Sequence, residues 1–135
     1  NIPIGRFSYR PTAVVDCFDK EIMDMSEFKG RKVIALSAIA SPESFYQLLT
    51  DYGADIVEKL VYPDHYFFTH EDVNEMLMKC VQQDAFIVTS EKDMVKLRKV
   101  TRDSRFVSLN IEIDFLSGED ELMAKVRNIL NLDYN

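Results

Sequence analysis

Glycine is scarce in this chain: only Gly5, Gly30, Gly53 and Gly118 occur among 135 residues, and no G-x-x-x-x-G-K-[ST] run exists. A P-loop needs glycines so that backbone N–H groups can close on phosphates, so these residues carry no such cradle. Cysteine is equally sparse. Cys17 and Cys80 form no close-spaced metal pattern, which argues against a zinc site or a disulfide scaffold and fits a reducing compartment. Positive charge is outweighed, 16 Lys and Arg against 23 Asp and Glu, and the net charge of −7 argues against broad nucleic-acid binding. No apolar run approaches the roughly 20 residues that span a bilayer, and no signal peptide is visible. The first residue is Asn rather than Met, so a processed chain or an excised piece of a longer one is expected.

What is present is a core. A hydrophobic content of 47% in 135 residues suffices for one globular domain. Residues 1–30 read as an entry segment or interdomain linker. Asn1 to Pro11 has two of the four prolines and little periodicity, Thr12 to Phe18 suits a short strand, and Met23, Met25 and Phe28 can tuck against a core. Residues 31–135 read as an α/β domain. Lys32 to Ile39 is nearly unbroken apolar sequence, the mark of a strand buried on both faces of a parallel sheet. Ser41-Pro42-Glu43 opens a helix with Ser as N-cap, Phe45, Leu48, Leu49 and Tyr52 as its stripe and Gly53 as its stop. Asp55 to Tyr62 is the next strand. Thr69 and Asp72 make a capping box for a helix from His70 to about Gln83 that buries Val73, Leu77, Cys80 and Val81.

Ala85 to Thr89 is a further strand, and Ser90 with Asp93 forms a second capping box. Phe106 to Leu109 and Ile111 to Phe115 supply the last strands, and Ser117 and Asp120 cap a terminal helix carrying Leu122, Val126, Ile129 and Leu130. Strand and helix alternate throughout. That pattern predicts a Rossmann-like three-layer α/β sandwich with a mostly parallel sheet and right-handed crossovers.

In such sheets ligands gather beyond the carboxyl ends of the strands. The loops there carry the candidate chemistry. Asp64 and His65 follow the second strand of the alternation, and a carboxylate beside an imidazole suits proton transfer. Lys92 is a cation at the positive end of its own helix, disfavoured there by about 0.3 to 1 kcal/mol, which invites a functional reason. Lys92, Lys96, Arg98, Lys99, Arg102 and Arg105 form a local basic run suited to a phosphate or an anionic membrane surface, or to a solvated helix face.

Three stretches, Lys32 to Phe45, Tyr62 to Thr69 and Ile87 to Leu97, together resemble the C-terminal part of the tetraacyldisaccharide 4'-kinase family of lipid A biosynthesis in Gram-negative bacteria. The resemblance spans roughly residues 30 to 115. It implies ATP-dependent phosphorylation of the 4'-hydroxyl of an acylated disaccharide 1-phosphate at the cytoplasmic face of the inner membrane. It also implies catalytic roles for His65 and Asp64, and substrate contacts for Lys92, Ser90 and Glu91, the last two lying with Lys92 in the family's Thr-Glu-Lys-Asp motif. ATP and Mg²⁺ are expected to bind mainly to an N-terminal P-loop domain outside this sequence, with none expected on this chain alone. That domain, the lipid substrate and the membrane surface are the expected partners; nucleic acid and a resident metal are not expected.

The chain departs from the family where Gly-Ile-Gly-(Asn or His)-Pro is usual. Ala38-Ile39-Ala40-Ser41-Pro42 stands there, which puts the close backbone approach of glycines in question. Two other readings use the same rim: a stand-alone Rossmann-like anion-binding module without catalysis, and a metal-dependent hydrolase built on Asp64-His65, for which further spaced ligands are lacking.

Overall fold

A computed structural model describes residues 7–115. It has ten elements: β1 Phe7–Asp16, β2 Glu21–Asp24, α1 Met25–Phe28, β3 Lys32–Ser37, α2 Glu43–Asp51, β4 Asp55–Val61, α3 His70–Gln83, β5 Phe86–Thr89, α4 Glu91–Leu97 and β6 Phe106–Phe115. The expected terminal helix lies outside the described residues. One sheet takes all six strands in the order β2-β1-β6-β5-β3-β4. β4, β3, β5 and β6 run parallel, whereas β1 is antiparallel to both its neighbours.

Alternation along the strands divides the core into two. Ile34, Leu36, Ile87 and Phe106 pack with Val73, Met76 and Cys80 of α3 and Met94 and Leu97 of α4. Val33, Ala35, Val88 and Val107 face the other way, onto Phe28 of α1 and Leu49 of α2. Because β3 is central and covered on both sides, Val33 to Leu36 are all fully buried, which is why its sequence shows no alternation. Helices on both faces make the expected three-layer α/β sandwich with a mostly parallel sheet.

From Phe7 to Asp24 the expected linker is instead a pair of strands. β1 pairs along its whole length with β6 and, over Ala13 to Val15, with β2, so both strands belong to the same sheet as the rest. The short strand expected from Thr12 is the second half of β1, and Pro11 hid the first. That proline sits beside a register shift between Pro11 and Ala13, outside the segment of β1 that β2 covers, and there a missing N–H is tolerated. Met23 and Phe28 are buried as expected, with Met25 packed partly against them. The two expected last strands are one continuous β6, because β1 pairs across both halves.

Two helix details also differ from expectation. α2 begins one residue later than Ser41 suggests: Pro42 holds the cap position with helical φ and ψ, and no side chain caps the first turn. In α3 the buried side is Val73, Met76 and Cys80, with Leu77 only partly buried and Val81 69% exposed, so the inward stripe is rotated from the one inferred. Among the described residues no helix is long and apolar enough to cross a membrane.

Candidate functional site

Register places the ends of the parallel strands in one row. Val61 lies beside Ser37, Leu36 beside Thr89, and Thr89 beside Ser108, so the segments that follow β3, β4 and β5 leave from a common edge. The chain passes from β3 to β4 on one side and from β5 to β6 on the other. The direction of winding therefore reverses between β3 and β5, where the diverging loops leave a crevice. A cleft of about 450 Å³ lies there. Ser41 and Ser44 form one wall, Ser90, Glu91 and Lys92 the other, over an apolar floor that includes Phe45 and Leu109.

The turn after β4 is a rigid display. Tyr66 N–H donates to the Pro63 carbonyl at 3.0 Å, closing a β-turn with Asp64 and His65 at its centre. His65 adopts φ 63°, the left-handed region that the third position of a type II turn requires and that non-glycine residues seldom occupy. Behind it the rings of Tyr62, Tyr66 and Phe68 pack with centroids 4.8 to 5.5 Å apart. The Tyr66 hydroxyl donates to Asp72 Oδ2 at 2.7 Å, tying the turn to the first turn of α3. Burial pushes the Asp72 carboxyl up, yet donors from Thr69 and Tyr66 together outweigh it and hold the group below the usual carboxylate range. The expected capping box is complete, Thr69 and Asp72 exchanging both bonds. His65 itself is 89% exposed, with Nε2 3.6 Å from Asp64 Oδ2.

The turn after β5 is built in the opposite manner. Ser90 caps α4 by accepting from Asp93 N–H at 3.1 Å. Asp93 does not return the bond to the backbone of Ser90 as a full box would. Its side chain is fully buried, and Oδ2 accepts from Ala38 N–H at 2.9 Å and from the Ser90 hydroxyl at 3.1 Å. One residue earlier in the row, the buried Thr89 hydroxyl donates to the Leu36 carbonyl at 2.9 Å. Asp93 was read in the sequence only as a cap; its burial is the feature that reading missed.

Ser90, Glu91 and Lys92 are thus brought together in the cleft, and Asp64 and His65 are not among its lining residues. The two groups share the rim but lie on either side of β3, two strand spacings or roughly 10 Å apart at the sheet. Half of the basic run is paired with acids. Arg98 pairs with Asp19 at 2.7 Å, Arg105 makes a two-pronged contact with Asp103, and Lys96 lies 3.6 Å from Asp93. Among the described residues Lys92 has no such partner, which leaves its charge available to the cleft. Burial, with Asp19 nearby, pushes the Glu91 carboxyl up, against the pull of Arg98.

Neither thiol suits chemistry. Both cysteines are buried and unpaired, and burial pushes the Cys80 thiol up to about 11. Among the described residues no three His, Cys, Asp or Glu side chains converge as a metal site. Nor do they fit a triphosphate with its Mg²⁺. The glycines among them, Gly30 and Gly53, precede β3 and β4 at the opposite edge, where Gly30 N–H donates to the Gly53 carbonyl, and so cannot cradle phosphates at the rim.

Fold and rim together define a doubly wound α/β domain with a crevice at its strand reversal and an Asp-His turn alongside. Comparison with known proteins narrows this. Residues 2–131 match the family model described as LpxK, tetraacyldisaccharide-1-P 4'-kinase, and the chain belongs to that family. A tetraacyldisaccharide 4'-kinase of Anaeromyxobacter sp. (strain Fw109-5) is 34% identical over 115 residues, 84% of this chain and 31% of that protein. One from Chelativorans sp. (strain BNC1) is 37% identical over 84 residues, 62% of this chain and 24% of the other. The crystal structure of LpxK from Aquifex aeolicus in complex with ATP superposes with a TM-score of 0.63 at 22% identity, covering 91% of this chain and 35% of that one, a likeness of fold. The chain thus spans between about a quarter and a third of the length of these relatives.

Proposed function

We propose that this chain is the C-terminal α/β domain of a tetraacyldisaccharide 4'-kinase, which transfers the γ-phosphoryl group of ATP to the 4'-hydroxyl of an acylated disaccharide 1-phosphate. The observation that carries the reading is the Asp64-His65 turn, exposed and braced, in a chain matching the family over residues 2–131. Phosphoryl transfer asks mainly for positioning and charge stabilisation. His65 can take the proton of the attacking hydroxyl or donate to a phosphate oxygen, while Asp64 orients the ring and offsets the charge it acquires. Lys92, with the hydroxyl of Ser90, supplies a local positive contact for an anionic substrate group. ATP and Mg²⁺ belong to a P-loop domain that this chain would face across the rim, at the cytoplasmic surface of the inner membrane.

A sharp test uses the 135 residues alone. Purified, they should show no ATP hydrolysis and no transfer to a lipid A precursor, since the cradle for the β- and γ-phosphates is absent from them. ATP-dependent turnover by this chain would overturn the division of labour. Supplying a P-loop domain from the same protein should restore transfer, and His65→Ala in this chain should lower the restored rate by roughly one to four decades. Saturable binding of an acylated phosphosugar with no restored transfer would favour an anion-binding module instead.

A further inference from the structure

The polar tie at the strand reversal suggests a role beyond capping. β3 and β5 pair as far as Leu36 and Thr89 and then part to opposite faces of the sheet. Ala38 N–H thereby loses the strand partner that would have satisfied it, and Asp93 Oδ2 takes that place at 2.9 Å across 55 residues of sequence. The same oxygen receives the Ser90 hydroxyl at 3.1 Å. One fully buried carboxylate therefore holds both loops, the one leading to Ser41 and Ser44 and the one carrying Ser90, Glu91 and Lys92, and these form the two walls of the cleft.

A buried charge is a costly way to satisfy one amide. Asp93 is also incompletely satisfied: Oδ1 has no hydrogen-bond partner and meets only the Lys96 ammonium, 3.6 Å away. A Ser90 cap alone would not require that carboxylate to be buried. Its geometry serves the gap between the loops.

We infer that Asp93 is the positioning residue of the cleft, fixing the spacing of its two walls through Ala38 and Ser90 so that Lys92 and Ser90 meet the substrate in one arrangement. This rests on the proposed function only in its last clause; the tie itself is a property of this chain.

The test reads both parts separately. In the 135-residue chain, amide hydrogen exchange of Ala38 should speed up in Asp93→Ala by at least about tenfold more than that of Ile87 or Val33, which report the sheet as a whole. Asp93→Asn, whose carbonyl can still accept, should restore most of the Ala38 protection. Should Asp93→Ala fail to fold, Asp93→Ser, which keeps a polar group but is too short to reach Ala38, serves for the same comparison. A loss at Ala38 no greater than at Ile87, or no rescue by Asn, overturns the inference. In the full-length kinase, Asp93→Ala should raise KM for the lipid acceptor about tenfold with kcat within about twofold, and Asp93→Asn should recover it. An unchanged KM in Asp93→Ala with Ala38 freed would also overturn the positioning role. If instead the Ala38 result holds and Lys92→Met leaves KM untouched, the strut stands and the assignment of substrate to this cleft falls.

Discussion

The turns after β4 and β5 lie on one rim, each follows a parallel strand and each opens into a helix capped by a hydroxyl, yet they use their acidic residues in opposite ways. After β4 the carboxylate and imidazole stand in solvent on a turn whose rigidity comes from the aromatic rings beneath. After β5 the carboxylate is withdrawn entirely and spent on joining two loops. Display and anchorage have been separated. The side chains displayed on the first turn should be removable with little harm to folding, whereas the second turn ties two loops across the cleft.

Substitutions can break that contrast. The largest expected effect is on His65: in the full-length kinase His65→Ala should lower turnover by roughly one to four decades. In this chain the same change should move stability by less than about 1 kcal/mol, as exposed sites usually do. Loss of melting temperature with per-molecule activity intact would make His65 a structural residue. His65→Gly sharpens the point, since relief of a left-handed φ should make the variant as stable as the parent or up to about 1 kcal/mol more so, while turnover falls as in Ala.

Next comes Asp93→Ala, which strands the Ala38 N–H and the Ser90 hydroxyl and should cost about 2 to 6 kcal/mol in a urea titration, at about 1 to 3 kcal/mol for each orphaned group. A cost as small as that of His65→Ala would erase the distinction between the two turns.

Glu91 should give a smaller effect that depends on pH. Its carboxyl is pushed up by burial, so the folded chain holds that proton more tightly than the unfolded one. The group therefore adds stability at low pH and loses it as pH climbs through the raised value. Glu91→Gln removes that loss: the variant should be more stable than the parent at pH 7, by less than about 1 kcal/mol, with the advantage gone near pH 3. A variant less stable at pH 7 would show that Arg98 outweighs the desolvation. The smallest effect is expected of Asp64→Ala, because the contact shown for its carboxylate is with His65 and not with loop amides. Chemical denaturation should place it within about 0.5 kcal/mol of the parent.

Much of this was legible in the sequence where local and tertiary signals agree. Lys32 to Ser37 announces a doubly covered strand because nothing polar interrupts it until Ser37, and Thr69 with Asp72 fixes the start of α3 through bonds between near neighbours. The reading failed where the partner was distant. The first half of β1 is a strand because of β6, about a hundred residues away, and Pro11 conceals it locally. Val81 looks inward on a helical wheel, but the sheet contacts Met76 instead, and a period cannot fix the rotation of a helix to one residue. At the rim, position after the strands pointed to Asp64, His65 and Lys92, and the family resemblance to Ser90 and Glu91; that Asp93 turns inward rather than back to its own backbone depends on Ala38, which only the fold brings near.

The pairing of β1 with β6 has a consequence for how the chain acquires its structure. Phe7–Asp16 is the first described strand to be made and lies between β2 and β6, the last. Until Phe106–Phe115 has been synthesised, β1 has only the short β2 on one side, and its other edge stays open. Contacts of such long sequence separation are slow to form and leave strand edges exposed meanwhile. The α/β units from β3 to α4 can assemble as each is completed, so the earliest made of these six strands should be among the last to be locked in place.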